Sequence, residues 1–182
     1  MVWNDRMIEN WAKVGNVEPF DSKMVAPSSL DMKWSGRYKV FTRKGWSDVY
    51  TTKDYIHLHK DTWFNRMVSA WRRWRGDYSY AVGLVLLDTQ EYIRMPHNAS
   101  GTLQLKSSQG RAGLEHSHAG FVEPDFHGTL TLEMENRVIL PYKLIKHEPL
   151  VQLVLEEAHV PVKSYLDVGR YNGQGVPTES KD

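Results

Sequence analysis

The stretch Thr129-Leu130-Thr131-Leu132-Glu133-Met134-Glu135-Asn136 alternates polar and apolar side chains with a period of two. In an extended strand that period places Leu130, Leu132 and Met134 on one face and Thr129, Thr131, Glu133 and Glu135 on the other. The two carboxylates then stand about 7 Å apart, twice the rise of one residue. If the acidic face lines a pocket, desolvation and like charge both raise a carboxyl pKa toward general acid and base use. If it meets water, it is the outer face of a half-buried sheet. The alternation fits both.

A second group is Lys106-Ser107-Ser108-Gln109-Gly110-Arg111, with two cations, two hydroxyls and a glycine in six residues. Such a turn can offer amides, hydroxyls and a guanidinium fork to a phosphate, and the same composition suits a polar surface turn. His116-Ser117-His118 and His57-Leu58-His59 each bring two imidazoles to one strand face, but two imidazoles do not complete a zinc site. Neither pair is read as a metal centre. Asn98-Ala99-Ser100 matches a glycosylation sequon, which carries no weight in the cytoplasmic protein expected here.

Positioning these residues falls to a chain of 182 residues, 41% apolar and 25% charged, composition that suits one globular domain with its own core. With 23 Lys and Arg against 22 Asp and Glu the net charge is +1, which gives no global electrostatic case for nucleic acid or anionic membrane as the main partner. The longest apolar run, Tyr80 to Leu87, is far shorter than the ~20 residues that cross a bilayer. The first residues lack the apolar core of a secretory signal, so a cytoplasmic location is expected. Cysteine is absent, which excludes disulfides and thiolate zinc sites.

Along the chain, Asp5 reads as the cap of a short helix carrying Met7, Ile8, Trp11 and Val14 and stopped by Gly15. Residues 17–31 read as an irregular loop leading to a strand at Tyr38–Phe41. After residue 80, short runs predict a mainly β domain: Tyr80–Leu87, Glu91–Met95, Thr102–Leu105, Thr129–Glu135 and Val151–Leu155. From Asp61 to Gly76, Trp63, Phe64, Met67, Val68, Trp71 and Trp74 recur at helical spacing among four arginines. That amphipathic helix is expected to pack its aromatic stripe on its own subunit or a neighbour, the competing reading being a nucleic-acid surface. The tail from Gly169 reads as loosely held.

Taken together, these segments resemble the dCTP deaminase family of the dUTPase-like superfamily. The resemblance rests on Lys106-Ser107-Ser108-x-x-Arg111-x-Gly113-Leu114, on Ala119-Gly120-Phe121-Val122-Glu123-Pro124-x-Phe126-x-Gly128, and on Thr131-Leu132-Glu133 with Asn136. Val25-x-Pro27-x-Ser29-x-Asp31, Thr89-x-Glu91 and Tyr171-x-Gly173-Gln174 support it, while residues 42–79 look foreign to the family.

The resemblance implies a single domain over 1–182, a distorted β-barrel of the β-clip type with short helices and a C-terminal lid near 169–182, and the amphipathic helix read near 61–76 is inserted into that barrel. It implies zinc-independent hydrolytic deamination of dCTP to dUTP and ammonia, feeding thymidylate synthesis, or in bifunctional members dUMP and diphosphate. Glu133 matches the catalytic glutamate, with Ser107 and Arg111 beside it. Lys106, Ser108, Gln109 and Gly110 would bind phosphate, Glu123 would face the deoxyribose, and Thr131 and Leu132 would meet the base through their backbone. Ala119, Gln152, Tyr165, Arg170, Tyr171 and Gln174 fall on nucleotide-contacting positions. Magnesium would ride on the triphosphate with no metal ligand from the protein. The family also implies a homotrimer with sites between subunits and, in some members, dTTP as inhibitor. Glu123 stands in place of an aspartate and Arg170 in place of a lysine. The readings of another class are a silent nucleotide sensor or a nucleic-acid-binding protein built on the Trp63–Arg75 helix.

Overall fold

The computed structural model describes every residue except Arg43, His118, Ala119 and Asp182. His118 and Ala119, read above as one of an imidazole pair and as a nucleotide contact, therefore lie outside the described residues. The strands are β1 (Val17–Glu18), β2 (Val25–Ala26), β3 (Ser29–Thr42), β4 (Gly45–Trp46), β5 (Tyr50–Thr51), β6 (Tyr55–His59) and β7 (Tyr80–Val82). They continue as β8 (Val85–Arg94), β9 (Ala99–Leu105), β10 (Leu114–His116), β11 (Phe121–Val122), β12 (His127–Asn136), β13 (Tyr142–Ile145) and β14 (Pro149–Glu157). The α-helices among the described residues, α1 (Asp5–Trp11), α2 (Trp63–Trp74), α3 (Ser107–Arg111) and α4 (Tyr165–Val168), decorate them.

The main sheet runs β10-β12-β8-β3-β14-β9-β11 with antiparallel neighbours and curls around one core, the mainly β barrel type expected. Its backbone is β3. Leu30, Met32, Trp34, Tyr38 and Val40 are buried, and the alternation continues through Gly36, which is buried and takes φ +93°. That left-handed residue and the accompanying bulge let the first half of β3 pair with β14 and the second half with β8. Each fully buried Leu or Met contributes about 1.5–3 kcal/mol, so the shared core of Leu87, Leu132, Met134, Leu153 and Trp34 fixes the curl.

Several local expectations are corrected. Asn4, not Asp5, caps α1, because it is the last extended residue and its side chain accepts from Met7 N at 3.0 Å. Val14 lies beyond that helix and is exposed. Residues 17–31 hold β1, β2, the first residues of β3 and a tight turn at Ser22–Met24 rather than an irregular loop. The Tyr80–Leu87 run is two strands broken at Gly83, φ +71°. The 106–111 turn winds into α3. The tail is fastened: Thr129 N donates to Gln174 O at 2.9 Å, Gly173 N to His127 O at 2.6 Å, and Thr178 N to Thr131 Oγ1 at 3.2 Å. Helix α2 forms as expected behind a Thr62 cap, but its aromatic stripe does not pack on its own chain. No helix among the described residues is long and apolar enough to cross a membrane.

A second sheet, β13-β6-β7, is tied to the barrel by Asn136 at the end of β12. Its fully buried amide donates to Leu58 O at 2.9 Å and Leu140 O at 2.8 Å and accepts from Val138 N at 3.1 Å. Asn136→Ala strands these three backbone groups. It is expected to lower unfolding free energy by about 3 kcal/mol, read by urea denaturation at fixed protein concentration. A loss within error of zero would show that the second sheet is held by other contacts.

Candidate functional site

Strand β12 places the site by its alternation. Leu130, Leu132 and Met134 are buried, while Thr131 and Glu133 reach a cleft of about 460 Å³. The floor and walls are apolar: Leu84 and Leu86 lead into and run along β8, Leu103 comes from β9, and Val122 and Phe126 flank the turn after β11. Tyr165, Tyr171, Gln174 and Thr178 roof it. Glu123, Thr131, Glu133, Tyr165, Tyr171 and Gln174, all expected at the substrate, therefore share one cavity. Leu132 turns its side chain into the core, which leaves only its backbone for the cleft.

Glu133 is the chemically distinctive group. It pairs in register with Leu86, its carbonyl accepts from Ser117 N at 3.0 Å, and its Oε2 is buried without a hydrogen bond from the described residues. Burial pushes its carboxyl pKa above the ordinary 4.5. His116 Nε2 lies 3.7 Å from Glu133 Oε2, a neighbour that sequence reading considered only as a metal ligand. Strand pairing of β10 beside β12 creates this contact, and no local spacing encodes it. Glu135 parts from Glu133 and pairs outside with Arg137 Nη1 at 3.4 Å. The other histidine pair is absorbed by ring packing: His59 stacks on Tyr80 at 3.7 Å, and burial holds its pKa down at about 4, helped by His57 and Arg72.

The roof hangs on the turn Glu123-Pro124-Asp125-Phe126, closed by Phe126 N donating to Glu123 O at 3.2 Å. Asp125 sits at φ 64°, and its Oδ2 receives Ser164 Oγ at 2.8 Å and faces His97 Nδ1 at 2.8 Å. Burial opposes ionisation of Asp125, but those two partners hold its carboxyl below the usual range. Because Ser164 also caps α4, the carboxylate sets where Tyr165 meets Phe126, ring centres 5.9 Å apart. The other wall partner, Gln174, donates to Thr129 O at 2.7 Å and keeps Oε1 buried without a partner among the described residues, an acceptor available to a ligand.

The remaining expected residues stand apart. Ser107, Ser108, Gly110 and Arg111 are exposed on α3 and do not line the cleft. Lys106 Nζ pairs with Asp31 at 2.5 Å, and Gln109 donates to Pro149 O and accepts from the Tyr142 hydroxyl. Gln152 lies beside Asp31 and Gln104 in the β3-β14-β9 register. Arg170 is exposed and donates to Lys181 O at 3.2 Å. One chain thus carries two groups, an apolar cleft with a carboxyl and a polar helix rich in phosphate-binding types.

Comparison with known proteins adds context. A family model described as dCTP deaminase-like matches residues 3–158. The protein of Streptomyces coelicolor named dCTP deaminase, dUMP-forming, is 34% identical over 173 residues, covering 91% of this chain and 85% of its own. Its namesake in Rhodococcus erythropolis is 34% identical over 190 residues, covering 100% and 96%. The solved 2'-deoxycytidine 5'-triphosphate deaminase of Agrobacterium tumefaciens superposes with a TM-score of 0.65 at 15% identity, over 87% of this chain. This chain spans 48% of that one, and the likeness is one of fold.

The raised pKa of Glu133 has a stability consequence with a definite sign. The folded state holds this proton more tightly than the unfolded state, so the carboxyl's contribution to stability falls as pH rises above 4.5 through the raised value. Glu133→Gln is expected to raise the thermal midpoint near neutral pH and to lose that advantage as pH falls below the ordinary glutamate range, read by calorimetry across pH. A variant less stable at neutral pH would show that the ionised carboxylate is compensated in the assembled protein.

Proposed function

The chain belongs to the dCTP deaminase-like family, and from that premise we propose that it hydrolyses dCTP to dUTP and ammonia and carries dUTP on to dUMP and diphosphate. The observation that carries the reading is Glu133, an acid of raised proton affinity in the wall of an apolar cavity. The cavity size suits a nucleoside. The relatives named dUMP-forming support the second hydrolysis, whereas the sequence alone left dUTP and dUMP both open as the end product.

The cytosine ring sits against the Thr131 and Leu132 backbone, and Glu123 faces the sugar. Glu133 takes a proton from water as its oxygen attacks C4 and passes that proton to N3. It then moves the new hydroxyl proton to the amine, which departs as ammonia and leaves a carbonyl at C4. A carboxyl shuttle suits a chain without cysteine, since zinc deaminases hold their metal with histidine and cysteine. The substrate arrives as its magnesium complex, and dTTP, with the same sugar and triphosphate, is the matching inhibitor.

Helix α3 enters from a neighbouring copy in a homotrimer. Its exposure and its distance from the cleft of its own chain support this arrangement. There Ser107 holds the attacking water, Arg111 places charge beside Glu133, and Lys106, Ser108, Gln109 and Gly110 serve the phosphates with Gln152. From the cleft's own chain, Tyr165, Arg170, Tyr171 and Gln174 close over the nucleotide.

Incubating the protein with dCTP and following ammonia and nucleotides by chromatography is expected to show ammonia and dUMP in equal amounts. Accumulating dUTP would confine the activity to deamination, and no ammonia would reject the reading. Glu133→Gln is expected to bind dCTP and lose about 10²–10⁴-fold in turnover, the range for a general acid and base. Co-assembling Arg111→Ala chains with Glu133→Gln chains is expected to restore part of the activity that each lacks alone. No recovery in mixed trimers would place both residues in one chain's site.

A further inference from the structure

Helix α2 is mounted with its polar side inward. At 3.6 residues per turn Asn65, Ser69 and Arg72 share one side, and that side meets the body. Asn65 Oδ1 accepts from the Tyr80 hydroxyl at 3.0 Å, Ser69 Oγ donates to Tyr80 O at 3.0 Å, and Arg72 pairs with Asp77 at 2.7 Å. Trp63, Phe64, Met67, Ala70, Trp71 and Trp74 fill an opposite arc of about 120°. Trp63 is 74% exposed, Trp71 56% and Trp74 83%. A surface helix of a globular protein ordinarily turns this stripe inward, and an exposed stripe marks an interaction surface.

Charge selects the occupant. Arg66, whose guanidinium is held at 2.5 Å by Asp61 just ahead of the helix, and Arg75 flank the stripe on opposite margins, and the helix through Arg75 carries no acidic residue. Residues 42–79 hold eight Lys and Arg against four Asp, a net +4 that the chain's total of +1 conceals. Facing two copies of α2 across the stripe would gain no ion pair between the helices, since each offers arginines and no carboxylate. A single-stranded nucleic acid asks for a basic groove with rings set along the phosphate path. Here the apolar stripe is unbroken, lies on the convex outer side of a helix, and has cations only at its margins. A bilayer surface fits these features: tryptophan, phenylalanine and methionine enter the boundary between headgroups and acyl chains, Arg75 meets lipid phosphates, and Arg66 does so by exchanging or sharing its Asp61 partner.

We propose that α2 is a membrane-surface helix that seats the protein on an anionic bilayer. It lies in the plane of the interface and does not span it. The inference is independent of the reaction assigned to the cleft.

The test is cosedimentation of the purified full chain with large vesicles of phosphatidylcholine alone or mixed with phosphatidylglycerol, alongside tryptophan fluorescence. Binding to the phosphatidylglycerol vesicles with a blue-shifted emission is expected, weakened by added salt. A Trp63→Ser, Trp71→Ser, Trp74→Ser variant alters only outward side chains, and its fold is checked by circular dichroism. It is expected to lose at least about tenfold in vesicle affinity. Arg66→Gln with Arg75→Gln is expected to weaken binding to the anionic vesicles alone. Absence of vesicle binding overturns the proposal. So does binding of a single-stranded oligonucleotide that the serine variant abolishes, or a fall in solution mass in that variant, which would assign the stripe to another copy.

Discussion

The register of β12 against β8 is the constraint on which the molecule turns. Leu132 opposite Leu87 and Glu133 opposite Leu86 give one strand two tasks, filling the core and furnishing the cleft. A slip of one residue would drive Glu133 into the core and Leu132 into the cavity, exchanging an apolar contact for a buried charge. The two-residue pleat therefore couples folding to chemistry, since the leucines that hold the sheet also aim the carboxyl. The same apolar walls that shape the cavity strip water from Glu133 and raise its proton affinity.

What the sequence revealed follows from which forces are local. The alternation from Thr129 to Glu135 and the three-to-four spacing from Trp63 to Trp74 predict strand and helix because both periods are written in neighbouring residues. Only the end of β3, Tyr38–Phe41, reads as a strand in the sequence; Ser28, Ser29 and the nearby prolines disguise its start as a loop, although Leu30, Met32 and Trp34 alternate there. The orientation of α2 was not legible. Periodicity finds a stripe and is silent on which side docks, and here Asn65 and Ser69 secured the polar side. Likewise nothing local tells that α3 stands away from the cleft of its own chain, or that His116 lies against Glu133.

Separation of the polar helix from the apolar cleft has an electrostatic logic. Arg111 and the α3 hydroxyls are exposed in the single chain, while the cleft is walled mostly by aromatic and leucine side chains. Bringing a guanidinium beside a buried carboxyl within one small barrel would cost desolvation at both ends during folding. Keeping the groups on separate surfaces of the chain avoids that cost.

Position 125 illustrates how narrow the choice of residue becomes where backbone and side chain are both committed. The turn needs a left-handed residue after Pro124, and α4 needs an acceptor for Ser164 at the same place. Glycine would satisfy the first need and forfeit the second, and valine or isoleucine would fail both. Mutational tolerance should therefore collapse at this one position, leaving aspartate and its amide as the only close alternatives.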